Sequence, residues 1–106
     1  MNKVGLASEL ACVTEHWRPR VVAELNGQQV KVAKLLGEFV WHSHAAEDEL
    51  FLVLKGRLVI ELRDGAVTLD PGELFVVPRG VEHRPVAASE VEIALFEPAS
   101  TKRTGD

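Results

Sequence analysis

The chain has 106 residues, with 12 Lys and Arg against 16 Asp and Glu, so its formal net charge is −4. One domain over residues 1–106 is expected, and 46% hydrophobic with 26% charged residues excludes a largely disordered chain. The acidic balance argues against nucleic acid as a partner, because phosphate binding needs a basic surface, and the single cysteine excludes an internal disulfide.

The N-terminal segment predicts a short helix. Apolar residues recur there at offsets of four, three and four, the spacing of one helical face, at Leu6, Leu10, Val13 and Trp17. We predict a helix over about residues 6–13, with Pro19 blocking its continuation and Cys12 buried as a small hydrophobe. No long apolar leader is present and a lone thiol fits a reducing compartment, so a cytoplasmic protein is expected.

The next part of the chain, about residues 20–98, predicts many short β-strands. Gly and Pro interrupt it at short intervals, with β-branched and aromatic residues between them, which is typical of a sandwich or barrel. Asn26-Gly27 and Asp64-Gly65 indicate two-residue hairpins, since a type I′ turn needs positive φ at both central residues. The paired strands would be Val21–Leu25 with Gln29–Leu36, and Arg57–Arg63 with Ala66–Leu69.

Four further strands complete the predicted barrel, at Leu50–Leu54, Leu74–Val77, His83–Ala87 and Val91–Glu97. The polar tail over residues 100–106 is expected to fray. Leu50–Leu54 is apolar at every position, as in a strand buried on both faces, yet it is too short to cross a bilayer. One face would be the interior, and the terminal segments or a second copy would cover the other, so a homodimer is suspected and no membrane partner is expected.

Three of the four histidines lie in two compact clusters. His42-Ser43-His44 precedes Glu47-Asp48-Glu49, and His83 ends the segment that begins at Pro78. Two histidines at i and i+2 of a strand point to the same face, so both imidazoles can meet one ion. Three nitrogens and one carboxylate suit a divalent transition metal and leave coordination positions open. The alternative is a metal-free barrel in which the imidazoles bond one another or water.

The spacing around these clusters resembles the two signature motifs of the cupin superfamily. The first string reads Gly37-x4-His42-x-His44-x4-Glu49-x6-Gly56, and the second reads Gly72-x5-Pro78-x-Gly80-x2-His83-x3-Ala87. The resemblance covers about residues 30–97, with 15 residues between the motifs. The chain departs from the family pattern in having four residues instead of five after Gly37, and Ala87 where Asn is common.

The resemblance implies an all-β double-stranded β-helix, or jelly-roll barrel, of the small single-domain type that includes mannose-6-phosphate isomerase-like cupins. It implies one divalent metal ion, whether iron, manganese, nickel, zinc or copper, with the ligands His42, His44, Glu49 and His83. Glu47 is the competing carboxylate, because strand alternation gives it the same face, but the spacing to Gly56 favours Glu49. Asp48 should point away.

Strand parity gives a first set of pocket residues. Glu38 and Val40 share the parity of His42, and Phe51 and Val53 share that of Glu49, so these four are predicted to form the pocket wall. Glu38 is read as an exposed strand-end carboxylate in preference to a general base. Phe39 and Trp41 should pack on the outer face, and His16, outside both motifs, should have a surface or packing role.

Three functions remain open for such a barrel, since fold does not fix function. The first is a metal-dependent enzyme acting on a small organic molecule, of the dioxygenase, isomerase or lyase type. The second is a non-catalytic metal-binding module that captures a small ligand such as a sugar or an acid. The third is a metal-free structural or dimerisation barrel.

Overall fold

The computed structural model describes residues 1–106 as one short helix and seven strands. Helix α1 spans Leu6–Ala11, and the strands are β1 Arg20–Leu25, β2 Gln28–Glu38, β3 Glu49–Lys55, β4 Leu58–Leu62, β5 Gly65–Leu69, β6 Leu74–Val77 and β7 His83–Pro98. No helix has the length and apolar character needed to span a bilayer. The order of these elements confirms the predicted all-β double-stranded β-helix with a short N-terminal helix.

The long strand β7 organises the barrel. Its second half pairs with both β2 and β3, and its first half pairs with β4, which in turn pairs with β5. The two strands predicted at His83–Ala87 and Val91–Glu97 are thus one strand of 16 residues. No Gly or Pro separates the two halves in the sequence. The break between the two halves is instead a register shift in the pairing with β2, where residues 88–90 of β7 lie opposite Leu36 alone.

Both predicted hairpins form, but only one has the predicted turn. Asn26 and Gly27 have φ values of 50° and 77°, as a type I′ turn requires. In the second hairpin Gly65 pairs with Leu62, so the turn residues are Arg63 and Asp64, and neither Asp64 nor Gly65 has a positive φ. The type I′ expectation is wrong there, because Gly65 already belongs to β5.

The main core lies inside the barrel, and a smaller cluster lies under α1. Twelve buried residues form the core, among them Phe51, Val53, Leu58, Ile60 and Ile93. Strand β3 alternates between buried and partly exposed residues, so it is not buried on both faces throughout. Of its outer residues, Leu54 packs against the cluster that α1 builds around Leu10 and Val13.

Two expectations about the chain ends are wrong. Cys12 is exposed, because the helix ends at Ala11 and Cys12 caps it with its thiol directed to the Ser8 carbonyl oxygen at 3.6 Å. The tail over residues 100–106 is not frayed: backbone and side-chain hydrogen bonds tie Ser100, Arg103 and Asp106 to the rest of the barrel. These partners lie far away in the sequence, so local composition gives no sign of them.

The turn at Gly56 yields a stability prediction. Gly56 has φ of +87°, and a Cβ there would lie 2.8 Å from the Glu90 carbonyl oxygen, whereas Gly72 has φ of +84° with nothing within 4 Å. Gly72→Ala should lower the free energy of unfolding by about 1–2 kcal/mol through backbone strain alone. Gly56→Ala should lower it by a further ~1–3 kcal/mol through overpacking. Urea denaturation of both variants measures the difference, and equal losses would contradict the role of the Glu90 contact.

Candidate metal centre

The two motif segments meet through a backbone bridge. His42 and His83 form an isolated antiparallel pair, in which the His42 amide donates to the His83 carbonyl at 3.1 Å and the His83 amide donates back at 2.9 Å. The Gly80 amide donates to the His44 carbonyl oxygen at 2.8 Å. The loop after β2 is thereby fixed against the start of β7, which brings its two histidines beside His83.

Four side chains converge at this point. Ligand atoms of His42, His44, Glu49 and His83 all lie within 4.8 Å of one another. Glu49 Oε1 lies 3.3 Å from His83 Nε2 and 3.6 Å from His44 Nε2, and all four residues are buried. Both of these nitrogens and Oε1 are nevertheless without a hydrogen-bond partner. Leaving such polar atoms unpaired in a core is costly, so the cluster fits a site for an ion that accepts three nitrogens and one oxygen.

The imidazole orientation also suits metal ligation. His42 Nδ1 lies 2.9 Å from the Val40 carbonyl oxygen, and His83 Nδ1 lies 2.9 Å from that of Val81. A carbonyl oxygen only accepts, so Nδ1 carries the hydrogen in both rings and Nε2 keeps its lone pair. Fixing the tautomer through the second ring nitrogen is usual for metal-bound histidine.

Electrostatics favour an ionised Glu49. Burial by itself would raise the pKa of Glu49, but the His44 and His83 side chains together hold it well below its ordinary range. Burial lowers the pKa of His42, whereas Glu49 raises the pKa of His44. The cluster thus presents a buried carboxylate among imidazoles, a donor set that a divalent cation would neutralise.

A cavity of about 220 Å³ opens beside the cluster, with His42 and Glu49 in its lining. Its apolar wall includes Trp17, Phe39 and Phe51. The Trp17 and Phe39 rings stack with centroids 4.8 Å apart, and the Trp17 Nε1 donates to the Leu36 carbonyl oxygen at 2.8 Å. Trp17 also has φ of 62°, a costly conformation for a bulky residue. The surrounding contacts therefore hold its ring at the cavity.

The predicted wall agrees with this cavity only at Phe51. Glu38 and Val40 are exposed, and Val53 lies in the core, so none of these three lines the cavity. The parity argument fails because β2 ends at Glu38 and His42 lies in the following loop, so strand alternation cannot be counted back from His42. Phe39 instead continues the inward parity of Ala33 and Leu35, contrary to expectation, and its ring stands edge to face with that of His42, with centroids 5.4 Å apart.

Several polar wall residues were not predicted. Lys31 of β2 and Glu97 of β7 are diagonal neighbours, with Lys31 Nζ donating to Glu97 Oε1 at 2.7 Å, and both line the cavity with Gln29 and Thr101. Burial, and then the nearby Glu49 carboxylate, raises the pKa of Glu97 to about 8. Strand alternation could have identified two of these residues, because Gln29 and Lys31 share the parity of buried Ala33 and so face the interior.

The remaining sequence candidates lie outside the cavity. The Glu47 carboxylate accepts a hydrogen bond from the Ser100 hydroxyl at 2.9 Å, and it is not among the four convergent residues. Asp48 points away and accepts from the Arg79 amide at 2.8 Å. His16 lies at the surface, 2.8 Å from the Glu90 carboxylate. Trp41 is placed under the guanidinium of Arg63, 3.9 Å from the ring centroid.

Comparison with known proteins places this geometry among related chains. The family described as "Cupin domain" matches residues 22–97. A cupin-2 domain containing protein from Shewanella frigidimarina NCIMB 400 is 46% identical, with a TM-score of 0.88 over 90% of this chain and 93% of that one. The uncharacterized protein YdbB of Bacillus subtilis (strain 168) is 38% identical over 84 residues, which is 78% of this chain and 72% of YdbB. Hydroquinone 1,2-dioxygenase from Sphingomonas sp. TTNP3, at 14% identity, shares the fold with a TM-score of 0.77 over 95% of this chain and 75% of that one.

Proposed function

The chain belongs to the cupin family, and we propose that it holds one divalent transition-metal ion and uses it on a small organic molecule. The ligands in this proposal are His42, His44, Glu49 and His83. One observation carries it: ligand atoms of all four side chains lie within 4.8 Å of one another, and those of His44, Glu49 and His83 are buried without a hydrogen-bond partner. Iron, manganese, nickel, zinc and copper all accept such a ligand set.

The cavity supports a small-molecule partner. Two of the proposed ligands, His42 and Glu49, line it, so an open coordination position would face the bound molecule. At about 220 Å³ the cavity is smaller than the pockets of drug-sized ligands, which begin at roughly 300 Å³. The aromatic wall at Trp17 and Phe39 excludes water and packs against an apolar part of the molecule.

The polar side of the cavity would orient that molecule. Gln29, Lys31 and Thr101 offer hydrogen-bond donors, and Thr101 Oγ1 is buried without a partner. A bound metal supplies Lewis acidity, polarising a substrate oxygen, or redox chemistry if the ion is iron. In the enzyme proposal the reaction is of the dioxygenase, isomerase or lyase type. The same hydroxyl and ammonium donors equally fit a non-catalytic module for a sugar or an acid, which is the second candidate function.

Metal analysis of protein purified without added metal tests the shared premise. We expect about one ion per chain, since the four ligands form a single cluster. Less than about a tenth of an equivalent, together with no binding on reconstitution, would overturn both functions. Oxygen consumption by the iron-loaded protein against small phenols, thiols and keto acids then separates them. Turnover supports the enzyme, whereas calorimetric binding of a sugar or an acid without turnover supports the binding module.

We also propose that two copies associate through the outer face of β3 and β6. Leu50 pairs with Val76 and Leu52 pairs with Leu74 on that face, and Phe96 lies beside Leu50 on β7. Helix α1 covers only the end of the face near Leu54. Leu74, Val76 and Phe96 stay exposed, a contiguous apolar group of the kind that marks association surfaces.

Leu74→Asp tests this association. A charge at the centre of an apolar interface should weaken the dimer by about 10–100-fold, since truncating a central contact costs roughly 2 kcal/mol or more. Light scattering after size-exclusion chromatography at micromolar concentration measures the mass of each variant. Val40→Asp is the matched control, because Val40 is 53% exposed, like Leu74 at 56%, but lies away from that face. A monomeric unmodified protein would contradict the proposal.

A further inference from the structure

The segment Ser100–Asp106, here called the strap, lies across the loop that carries two of the proposed ligands. The Asp106 amide donates to the Ser43 carbonyl at 3.1 Å, and Asp106 Oδ2 accepts from the Ala45 amide at 2.6 Å. These two partners flank His44 on either side. The contact is close, since a Cβ at Gly105 would lie 2.5 Å from the Ser43 carbonyl oxygen and 2.9 Å from His42 Cβ.

His44 differs from the other two histidines of the cluster. His42 and His83 each have Nδ1 fixed by a backbone carbonyl two residues earlier. His44 is 2% exposed, and its Nδ1 has no hydrogen-bond partner. Carboxylate oxygens of Glu47 and Asp106 lie within 4.8 Å of a ring nitrogen of His44. Glu47 Oε1 is also buried without a partner, so two neighbouring side chains each carry an unpaired buried polar atom.

We propose that the strap positions His44 for metal ligation, with Glu47 as the acceptor of its Nδ1 hydrogen. This inference rests on the proposed metal function. Ser100 donates to the second oxygen of Glu47 at 2.9 Å and leaves Oε1 without a partner, while Asp106 holds the backbone on both sides of His44. Glu47 thus does for His44 what the carbonyls of Val40 and Val81 do for the other two rings. Carboxylates in this role fix the tautomer and raise the basicity of the ligating nitrogen.

Zinc affinity, measured by competition with a chelator, tests the proposal. Glu47→Ala should raise the dissociation constant for Zn²⁺ by about 10–100-fold, the usual effect of losing such a partner. Glu47→Gln should recover part of the loss, because its amide oxygen still accepts a hydrogen bond. Gly105→Ala should act like Glu47→Ala by displacing the strap. Gly27→Ala is the matched control, with a similar φ of +77° and nothing within 4 Å.

A spectroscopic readout separates positioning from a general loss of structure. In the Co²⁺-loaded protein, the three ligating imidazoles should give solvent-exchangeable N–H proton resonances shifted by the metal. Glu47→Ala should move or broaden only the resonance of His44. Unchanged zinc affinity in Glu47→Ala, equal loss in Gly27→Ala, or two zinc ions bound per chain would overturn the inference.

Metal binding by the unmodified chain distinguishes a failure of this inference from a failure of the proposed function. If the unmodified chain binds no metal, the proposed function fails and the His44 role fails with it. If the unmodified chain binds metal but Glu47→Ala and Gly105→Ala bind it equally well, only the inference fails. Hydrogen exchange at the Ala45 amide, which donates to Asp106, reports in both cases whether Gly105→Ala has released the strap.

Discussion

The double substitution His42→Ala with His44→Ala is expected to abolish metal uptake and to leave a folded barrel. Two of the four convergent ligands are lost, so the remaining Glu49 and His83 cannot close a coordination sphere. The loss should exceed the roughly 10–100-fold that follows removal of an outer partner. Metal content after reconstitution and dialysis measures it, and circular dichroism checks that the β-sheet persists.

The fourth histidine provides the control. His16→Ala removes an imidazole of the same size at the surface, where it contacts only the Glu90 carboxylate among charged groups. Its metal content should match that of the unmodified protein. If the double variant keeps its metal, the ion is held elsewhere and the assignment of the ligands is wrong.

The fold and the ligand cluster could be predicted because the resemblance to the cupin motifs that implies them rests on local spacings. His42 and His44 are two residues apart, Glu49 opens β3, and the turn that contains Gly80 comes shortly before His83, which opens β7. Such spacings survive small errors in strand boundaries. The hairpin at Asn26 and Gly27 was predictable for the same reason, since its φ values are demanded by the turn itself.

The cavity wall and the strap could not be predicted in this way, because they depend on register and on distant contacts. The loop after β2 interrupts strand alternation before His42, so Glu38 and Val40 lie outside the wall and Phe39, which shares the parity of Leu35, lies inside it. Asp106 reaches Ala45 across 61 residues of sequence, a contact that no local pattern encodes. Glu97 is different, since its parity with buried Ile93 and Leu95 was available and indicated an inward-facing carboxylate.

That inward-facing carboxylate has consequences for stability. Glu97 is 3% exposed, close to Glu49, and paired with Lys31 at 2.7 Å. Burial is the largest reason that the pKa of Glu97 rises from 4.5 to about 8, and the Glu49 charge adds to it, while Lys31 opposes the rise. Near neutral pH, the folded metal-free protein therefore keeps a proton on Glu97 that the unfolded chain has released.

The sign of the pH dependence follows from this proton. Between about pH 4.5 and pH 8 the folded state binds more protons at Glu97 than the unfolded state, so the free energy of unfolding falls as pH rises. The slope from one such group is at most about 1.4 kcal/mol per pH unit. His44, whose pKa is raised by Glu49, acts in the same direction through its own titration. Glu49, whose pKa is lowered, adds stability that is lost only as the pH falls below 4.5.

Glu97→Gln should flatten this dependence and make the metal-free barrel more stable than the unmodified protein at pH 8. The amide keeps the size of the side chain and can still accept from Lys31, but it carries no charge to desolvate. Urea denaturation with a chelator present, at intervals from pH 5 to about pH 8, gives the two curves. Glu92→Gln on the same strand is the control, because Glu92 does not line the cavity. If the free energy of unfolding of Glu97→Gln depends on pH as steeply as that of the unmodified protein and of Glu92→Gln, the buried proton does not reside on Glu97. Another group in the cavity must then bind it.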